Sequence, residues 1–349
     1  MKLFDQSFLQ SSVTKHIELH HDSMLVDPNR FSTGTLVVGR VIRTSEQYGH
    51  LEITNSTMHK LSYNDIVVGA LGTRSALRGH TGHLPKKLCI GTELSLLNIG
   101  GVIGELSSSS STVGEPVQLE ILGAIANPKT GLLNVSQSPI SPAKGLSPLP
   151  PVVMISGSCM HAGKTEATCA IIQYLSKQKI SSVALKLTGV GAQKDLNKML
   201  ESGAMAAYSF VDAGIPSTCN LPIINTAKGC LNYAAKLSPD VIVVELGDGL
   251  LGEYGVLSLL NDPQIKKSIS SLIFSAADPV GAWGGIEILK SNGHSVDIVT
   301  GPCTDNLAGQ YGIHHHCGVT PINAKMSPQT FGKAITESLF KLHRKKVGA

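Results

Sequence analysis

The sequence predicts an α/β fold: a parallel sheet with helices on both faces, preceded by a smaller β-rich domain. Three observations carry this. In the second half, short apolar runs such as "VVMIS" (152–156), "SVALKL" (182–187) and "VIVVEL" (241–246) alternate with helical stretches. In the first half, β-rich runs separated by glycines show no helical periodicity. Between the halves lies a proline- and serine-rich stretch, 126–151.

Residues 1–35 show little periodicity. From Thr35 to Ile125 the runs "TLVVGRVI", "HLEIT", "DIVVGALG", "TELSLLNIGGVIGEL" and "VQLEILGAI" have the length and spacing of strands in a small sheet or barrel. "SSSSST" at 107–112 reads as a loop among them. These runs define an expected domain at 1–125, a linker or extended strap at 126–151 and a second domain at 152–349.

The second domain opens on the strand "VVMIS". A helix over 164–179 follows, with Ala167, Ala170, Ile171, Tyr174 and Leu175 on one side. "SVALKL", "VIVVEL", "SLIFSA" (271–276) and "VDIVT" (296–300) are the later strands. Helices are expected at 195–208, 228–237, 255–268 and 284–291. Ser327-Pro328 reads as an N-cap followed by proline at the first position of a last helix.

Composition narrows the function classes. The 349 residues are 42% hydrophobic and 15% charged, a globular composition with room for two domains. A net charge of +4 is too small to imply nucleic acid, and the basic end "KLHRKK" reads as the solvated tail of the last helix. No apolar run approaches the ~20 residues that span a bilayer. The start of the chain has acidic residues and no long apolar core, so the expectation is a cytoplasmic protein without a membrane partner. Seven scattered cysteines without a CxxC pair read as free thiols.

The chemistry concentrates at "GSCMHAGKT" (157–165), directly after the first strand of the second domain. Glycines there allow positive φ and let backbone N–H groups face an anion, and the following helix adds its positive end. Lys164 is placed to neutralise terminal phosphates and the Thr165 hydroxyl to bind Mg²⁺. The nucleotide-contacting candidates are Gly157, Ser158, His161, Ala162, Gly163, Lys164, Thr165 and Glu166. The other reading of Lys164 is a surface lysine at a helix start.

Five residues, not four, separate Gly157 from Gly163. With "ALKLTGVG" (184–191) and "VIVVELGDG" (241–249), this spacing resembles the dethiobiotin synthetase family and its relatives in the SIMIBI class of P-loop NTPases. It is similar, too, to two-domain proteins with a C-terminal P-loop domain. The resemblance covers roughly 152–312 and implies ATP and Mg²⁺ as cofactors. It implies a catalytic Lys164, a Lys186 and Thr188 that meet substrate and phosphate, and a Glu245 that holds Mg²⁺ with Thr165 and Asp195. The loop interior, Cys159-Met160-His161, departs from that family and argues against dethiobiotin formation itself. "NKML" (197–200) lacks the aspartate of a guanine-reading signature, which favours ATP over GTP.

Physical chemistry supports several of these positions independently. A carboxylate at the end of a buried parallel strand, as at Glu245, lies where open α/β sheets bind ligands and is costly there without a cation. The alternative is a structural carboxylate bonded to loop N–H groups. Asp248 either helps bind metal or shapes its turn. Lys186 either meets an anion or lies at the surface. His161 is an acid/base group or a plain loop residue. Asp278 and Asp305 follow the last two strands and are candidate base or substrate contacts.

Two further constellations stand out. "HHHC" (314–317) has metal-binding composition, but adjacent histidines in a regular element cannot all point one way. "GTRSALRGHTGHLP" (72–85) gathers Arg74, Arg78, His80 and His83, either as a substrate-anion site or as a solvated hairpin loop. The expected function is ATP- and Mg²⁺-dependent phosphoryl transfer to a small anionic substrate, a carboxylate, of kinase or ligase type. The other expectation is a nucleotide-switched partner or metal-delivery NTPase, and a homodimer is compatible with both.

Overall fold

The computed structural model describes the backbone of residues 7–347, with side chains as far as Leu339. The basic end expected to be solvated lies outside those side chains. Two compact units make up the chain. Among the described residues, the first comprises 7–141, 190–194 and 210–221; the second comprises 142–189, 195–209 and 222–347. The Pro/Ser-rich stretch is therefore shared: 126–141 group with the first unit and 142–151 with the second.

The strands of the first unit are β1 (Leu9–Gln10), β2 (Met24–Val26), β3 (Leu36–Arg43), β4 (His50–Glu52), β5 (Met58–Lys60), β6 (Ile66–Leu71), β7 (His80–His83), β8 (Glu93–Leu96), β9 (Val102–Ser109), β10 (Gln118–Asn127) and β11 (Gly131–Leu132). The pairings run β6–β3–β10–β8–β9, and β9 returns to β6, closing a five-strand barrel. Closure removes the open edges that a small sheet would otherwise expose. The closing pair is parallel, Ala70 opposite Val102 and Leu71 opposite Ile103. It needs a glycine at 69, where a Cβ would lie 2.5 Å from the Gly101 carbonyl oxygen. Alternate residues fill two apolar layers: Val37, Val67, Leu71 and Ile103 in one, Leu36, Val38, Val68 and Val102 in the other.

Two buried carboxylates tie later parts of the chain into this unit. Glu52, 1% exposed, accepts from Ser12 Oγ at 2.5 Å and from the Gln193 backbone N–H at 2.6 Å. Asp212 pairs with Lys15 Nζ and His16 Nε2, both at 2.7 Å.

The second unit contains β12 (Val152–Gly157), α1 (Lys164–Lys177), β13 (Ser182–Thr188), α2 (Lys194–Glu201), β14 (Ala206–Ser209), α3 (Ile224–Ala235), β15 (Val241–Leu246), α4 (Val256–Asn261), α5 (Pro263–Ser268), β16 (Ile269–Ser275), α6 (Pro279–Ser291), β17 (Ile298–Thr300), α7 (Leu307–Cys317), β18 (Thr320–Pro321) and α8 (Pro328–Val347). Its sheet runs β14-β13-β15-β12-β16-β17-β18, with every pairing parallel. Helices cover both faces. Ile273 packs with Ile171, Leu175, Phe331 and Ile335 beneath α1 and α8. Its neighbour Phe274 faces the other way, and a Cβ on Gly285 of α6 would lie 2.1 Å from its ring. The fold class read from the sequence, an α/β P-loop unit after a β-rich unit, is the observed one. No helix of the described residues is long and apolar enough to cross a membrane.

Three local expectations are corrected. The helix expected over 195–208 stops at Glu201, because Gly203 turns the chain at φ +104°, and 206–209 form the edge strand β14. The helix expected over 255–268 is two helices, broken where Asp262 caps α5 and Pro263 opens it. The 72–85 stretch is only partly a solvated loop: Leu77, Arg78 and His83 are exposed, but Arg74 is 2% and His80 0% exposed, and β7 pairs with β9.

Candidate functional site

The register of the second sheet assembles the site. Ile155 of β12 pairs with Glu245 of β15, which pairs with Lys186 of β13. The phosphate loop, an acid and a lysine therefore end three adjacent strands at one sheet edge. That edge holds the ligand in open parallel sheets.

The loop between β12 and α1 is built by backbone. Its turns need positive φ at His161 (61°) and at Gly163 (95°), the residue before α1. Lys164 is 6% exposed and donates from Nζ to the Cys159 carbonyl at 2.7 Å. Its stem passes over Gly157, where a Cβ would lie 3.1 Å from Lys164 Cγ and Cδ. Burial pushes the Lys164 ammonium below the ordinary lysine range, while Glu245 and Asp248 favour its charge. Ala162 is buried and its carbonyl accepts from Ser275 Oγ at the end of β16. Ser158 donates its N–H to the Ser275 carbonyl at 2.9 Å, and its Oγ accepts from Ala277 N–H at 3.3 Å. His161 and Glu166 are exposed.

Beside the loop, Lys186 Nζ bonds the Asp195 carboxylate and lies 3.6 Å from Glu245 Oε1. Burial opposes the Lys186 charge, but Glu245 and Asp195 outweigh it and raise its pKa. Glu245 is 2% exposed, and its Oε2 has no hydrogen-bond partner. Burial raises its pKa, Lys186 and Lys164 oppose the rise, and the Thr165 hydroxyl lies close enough to favour the carboxylate. Thr188 Oγ1 donates to the Gly247 carbonyl at 2.8 Å, which locks the ends of β13 and β15 together instead of facing a ligand. Asp248 holds φ +68° in the turn after β15, an unusual conformation for a non-glycine residue.

The structure thus brings together Lys164, Thr165, Lys186, Asp195 and Glu245. It gives other candidates structural work. Asp278 caps α6 by accepting from Gly281 N–H at 2.8 Å, and Asp305 accepts from Asn323 Nδ2 at 2.7 Å. His314, His315 and His316 lie exposed on α7, where His315 stacks on Tyr311 with ring centroids 5.6 Å apart. Among the described residues no group of three or more His, Cys, Asp or Glu side chains is arranged to hold a metal ion. Sequence reasoning passed over Ser275. Its signal is a serine ending the apolar strand "SLIFS", next to a loop carbonyl that needs a donor.

No family model and no curated protein matches this sequence. Solved structures resemble part of the chain at low identity. Chloroplast FtsY from Physcomitrella patens is 13% identical over 54% of this chain and 66% of its own, with a TM-score of 0.38. Cell division protein FtsY from Thermotoga maritima is 16% identical over 55% of this chain and 70% of its own, with a TM-score of 0.37. The signal recognition particle 54 kDa protein from Aeropyrum pernix, solved in complex with GDP, is 17% identical over 57% of this chain and 50% of its own, with a TM-score of 0.36. A resemblance to dethiobiotin synthetases in particular is not shown by these likenesses. The P-loop NTPase fold rests on the strand order and the loop.

Proposed function

We propose that the second unit binds a nucleoside triphosphate with Mg²⁺ and transfers its terminal phosphoryl group. One observation carries this reading: a glycine loop with a buried lysine ends beside a buried glutamate whose Oε2 has no partner. Such an oxygen is costly unless a ligand satisfies it. The oxygen donors of Thr165, Glu245 and Asp195 fit a hard divalent cation. Bound there, Mg²⁺ supplies charge neutralisation at the phosphates.

The chain's own groups do the rest. The loop N–H groups and the positive end of α1 hold phosphate oxygens. Lys164 exchanges its bond to the Cys159 carbonyl for the terminal phosphates. Lys186 faces charge that develops between phosphate and acceptor, which supports a small carboxylate as acceptor. Positioning and charge stabilisation suffice for this chemistry without a covalent enzyme intermediate. ATP is the nucleotide that the sequence favours. The test is turnover of ATP and of GTP by wild type and Lys164→Ala, with and without a panel of small carboxylates. Equal turnover by Lys164→Ala sinks the reading.

A second reading, a nucleotide-switched partner protein, has its own support. Val280 (76% exposed) and Trp283 (52%) on α6, and Leu307 (82%) and Tyr311 (70%) on α7, are apolar side chains presented on helices that follow strands at the site edge. Exposed apolar groups of this size mark docking surfaces when they are contiguous. Oligomeric state measured with and without a non-hydrolysable nucleotide separates the two. Carboxylate-stimulated turnover by a monomer favours the enzyme, and nucleotide-dependent association favours the switch.

A further inference from the structure

The cluster at the ends of β13 and β15 holds a lysine where a metal-binding pair of carboxylates is expected. Lys186 and Glu245 are register partners, so the backbone ladder fixes their proximity. Lys186 Nζ bonds Asp195 and lies 3.6 Å from Glu245 Oε1. The lysine tip runs between two glycines: a Cβ would lie 3.2 Å from its Cε at Gly247 and 3.6 Å at Gly189. Side chains there would confine it. Two carboxylates this close, one of them 2% exposed, cannot be left without a cation at modest cost.

We propose that Lys186 is a built-in stand-in for the divalent cation, bridging Asp195 and Glu245 until the metal arrives and then released to meet an anion. This inference rests on the metal-site reading given above. Its logic is electrostatic. The unpartnered Glu245 Oε2 is the oxygen that an ammonium on the Oε1 side leaves unserved, so the pair is only half satisfied by lysine. A divalent cation serving both carboxylates repels an ammonium held a few ångströms away. The two cations therefore exclude each other from one pair of carboxylates, and the coupling is reciprocal: whatever anion holds Lys186 away tightens the metal. The long flexible stem lets the ammonium move while the backbone stays paired. Lys186 then becomes available to phosphate or acceptor only once the metal is in place. That order guards against binding the acceptor in a site that cannot react.

The test uses the full chain without nucleotide and Mn²⁺ as the probe. Lys186→Met is expected to bind one Mn²⁺ at least about tenfold tighter than wild type, because the competing charge is gone. Adding Glu245→Gln to Lys186→Met is expected to remove the gain. Equal Mn²⁺ affinity in folded wild type and folded Lys186→Met overturns the proposal. A measurement on the wild-type chain guards against a variant that fails to fold. Labelling of Lys186 by an amine-reactive ester, read by peptide mass spectrometry, is expected to rise with Mn²⁺ alone. Unchanged or lowered labelling at saturating Mn²⁺ overturns the proposal. Failure of wild type to bind ATP or GTP with Mg²⁺ overturns the nucleotide reading but leaves the Mn²⁺ comparison intact, so the two failures are distinguishable.

Discussion

Gly301 approaches Ala162 so closely that a Cβ on it would lie 2.2 Å from the Ala162 carbonyl oxygen, and its φ is +95°. The residue after β17 thus sets the position of the phosphate loop from two strands away. Gly301→Ala is expected to displace the loop and lower nucleotide affinity by roughly tenfold or more, with about 1–2 kcal/mol of backbone strain in stability. Nucleotide titration and thermal melts measure both. Ser275→Ala removes only the hydroxyl bond to Ala162 and is expected to cost about 1 kcal/mol.

Lys164 separates stability from binding. Burial already works against its charge. Lys164→Met keeps the stem over Gly157 and removes the ammonium. Its nucleotide-free melting temperature is expected to match or exceed that of wild type, while nucleotide binding is lost. A variant that melts early or still binds contradicts this.

The junction of α4 and α5 depends on Asp262. Its carboxylate pairs with Lys228 at 2.9 Å, with side chains 11% and 7% exposed, and its Oδ1 accepts from the N–H groups of Gln264 and Ile265. Asp262→Asn keeps the cap but leaves Lys228 unpaired, at an expected cost of about 3–5 kcal/mol. Asp262→Ala adds about 1 kcal/mol for the lost cap. Lys228→Met combined with Asp262→Asn is expected to recover most of the loss in a urea titration.

His80 makes the barrel unit acid-sensitive. Burial first, and the nearby Arg74 charge second, lower its pKa to about 4. The unfolded chain therefore binds a proton that the folded chain refuses between about pH 6.5 and pH 4. The neutral-histidine contribution is complete above pH 6.5 and falls away as the pH drops to 4. It is worth on the order of 2–3 kcal/mol. His80→Phe is expected to flatten that limb of the stability–pH curve relative to wild type. Parallel curves count against it.

Trp283 is the only tryptophan, half-exposed on α6. Its neighbour Gly281 sits close to the phosphate loop, where a Cβ would lie 3.5 Å from that of Ser158. Its fluorescence is expected to change on adding Mg²⁺ with ATP or GTP, and to stay flat in Lys164→Met.

The sequence carried the second unit well because its signals are local. Five apolar strands, the loop glycines and the Ser327-Pro328 helix start are each readable within a few residues. The site was legible for the same reason: Lys164, Lys186 and Glu245 each follow or end an apolar run. What stayed hidden depends on distant partners. Barrel closure rests on β6 meeting β9 across a gap in sequence. The edge strand β14 has too few apolar residues to announce itself after a helix. Arg74 and His80 read as surface groups by type, and only tertiary packing buries them. Asp278 and Asp305 sit at the right edge, yet their oxygens serve a helix cap and an asparagine.

The interleaved chain has a practical consequence for handling the protein. A fragment ending at residue 151 would retain Glu52, Lys15 and His16 but lack the Gln193 N–H that bonds Glu52 and the Asp212 carboxylate that bonds Lys15 and His16. Such a fragment would keep the Ser12 bond to Glu52 but lose its second donor, and would leave Lys15 and His16 without their carboxylate. The barrel is therefore not a cassette that can be excised, fused or exchanged at the proline-rich stretch. Its chemical completeness is written on both sides of that boundary.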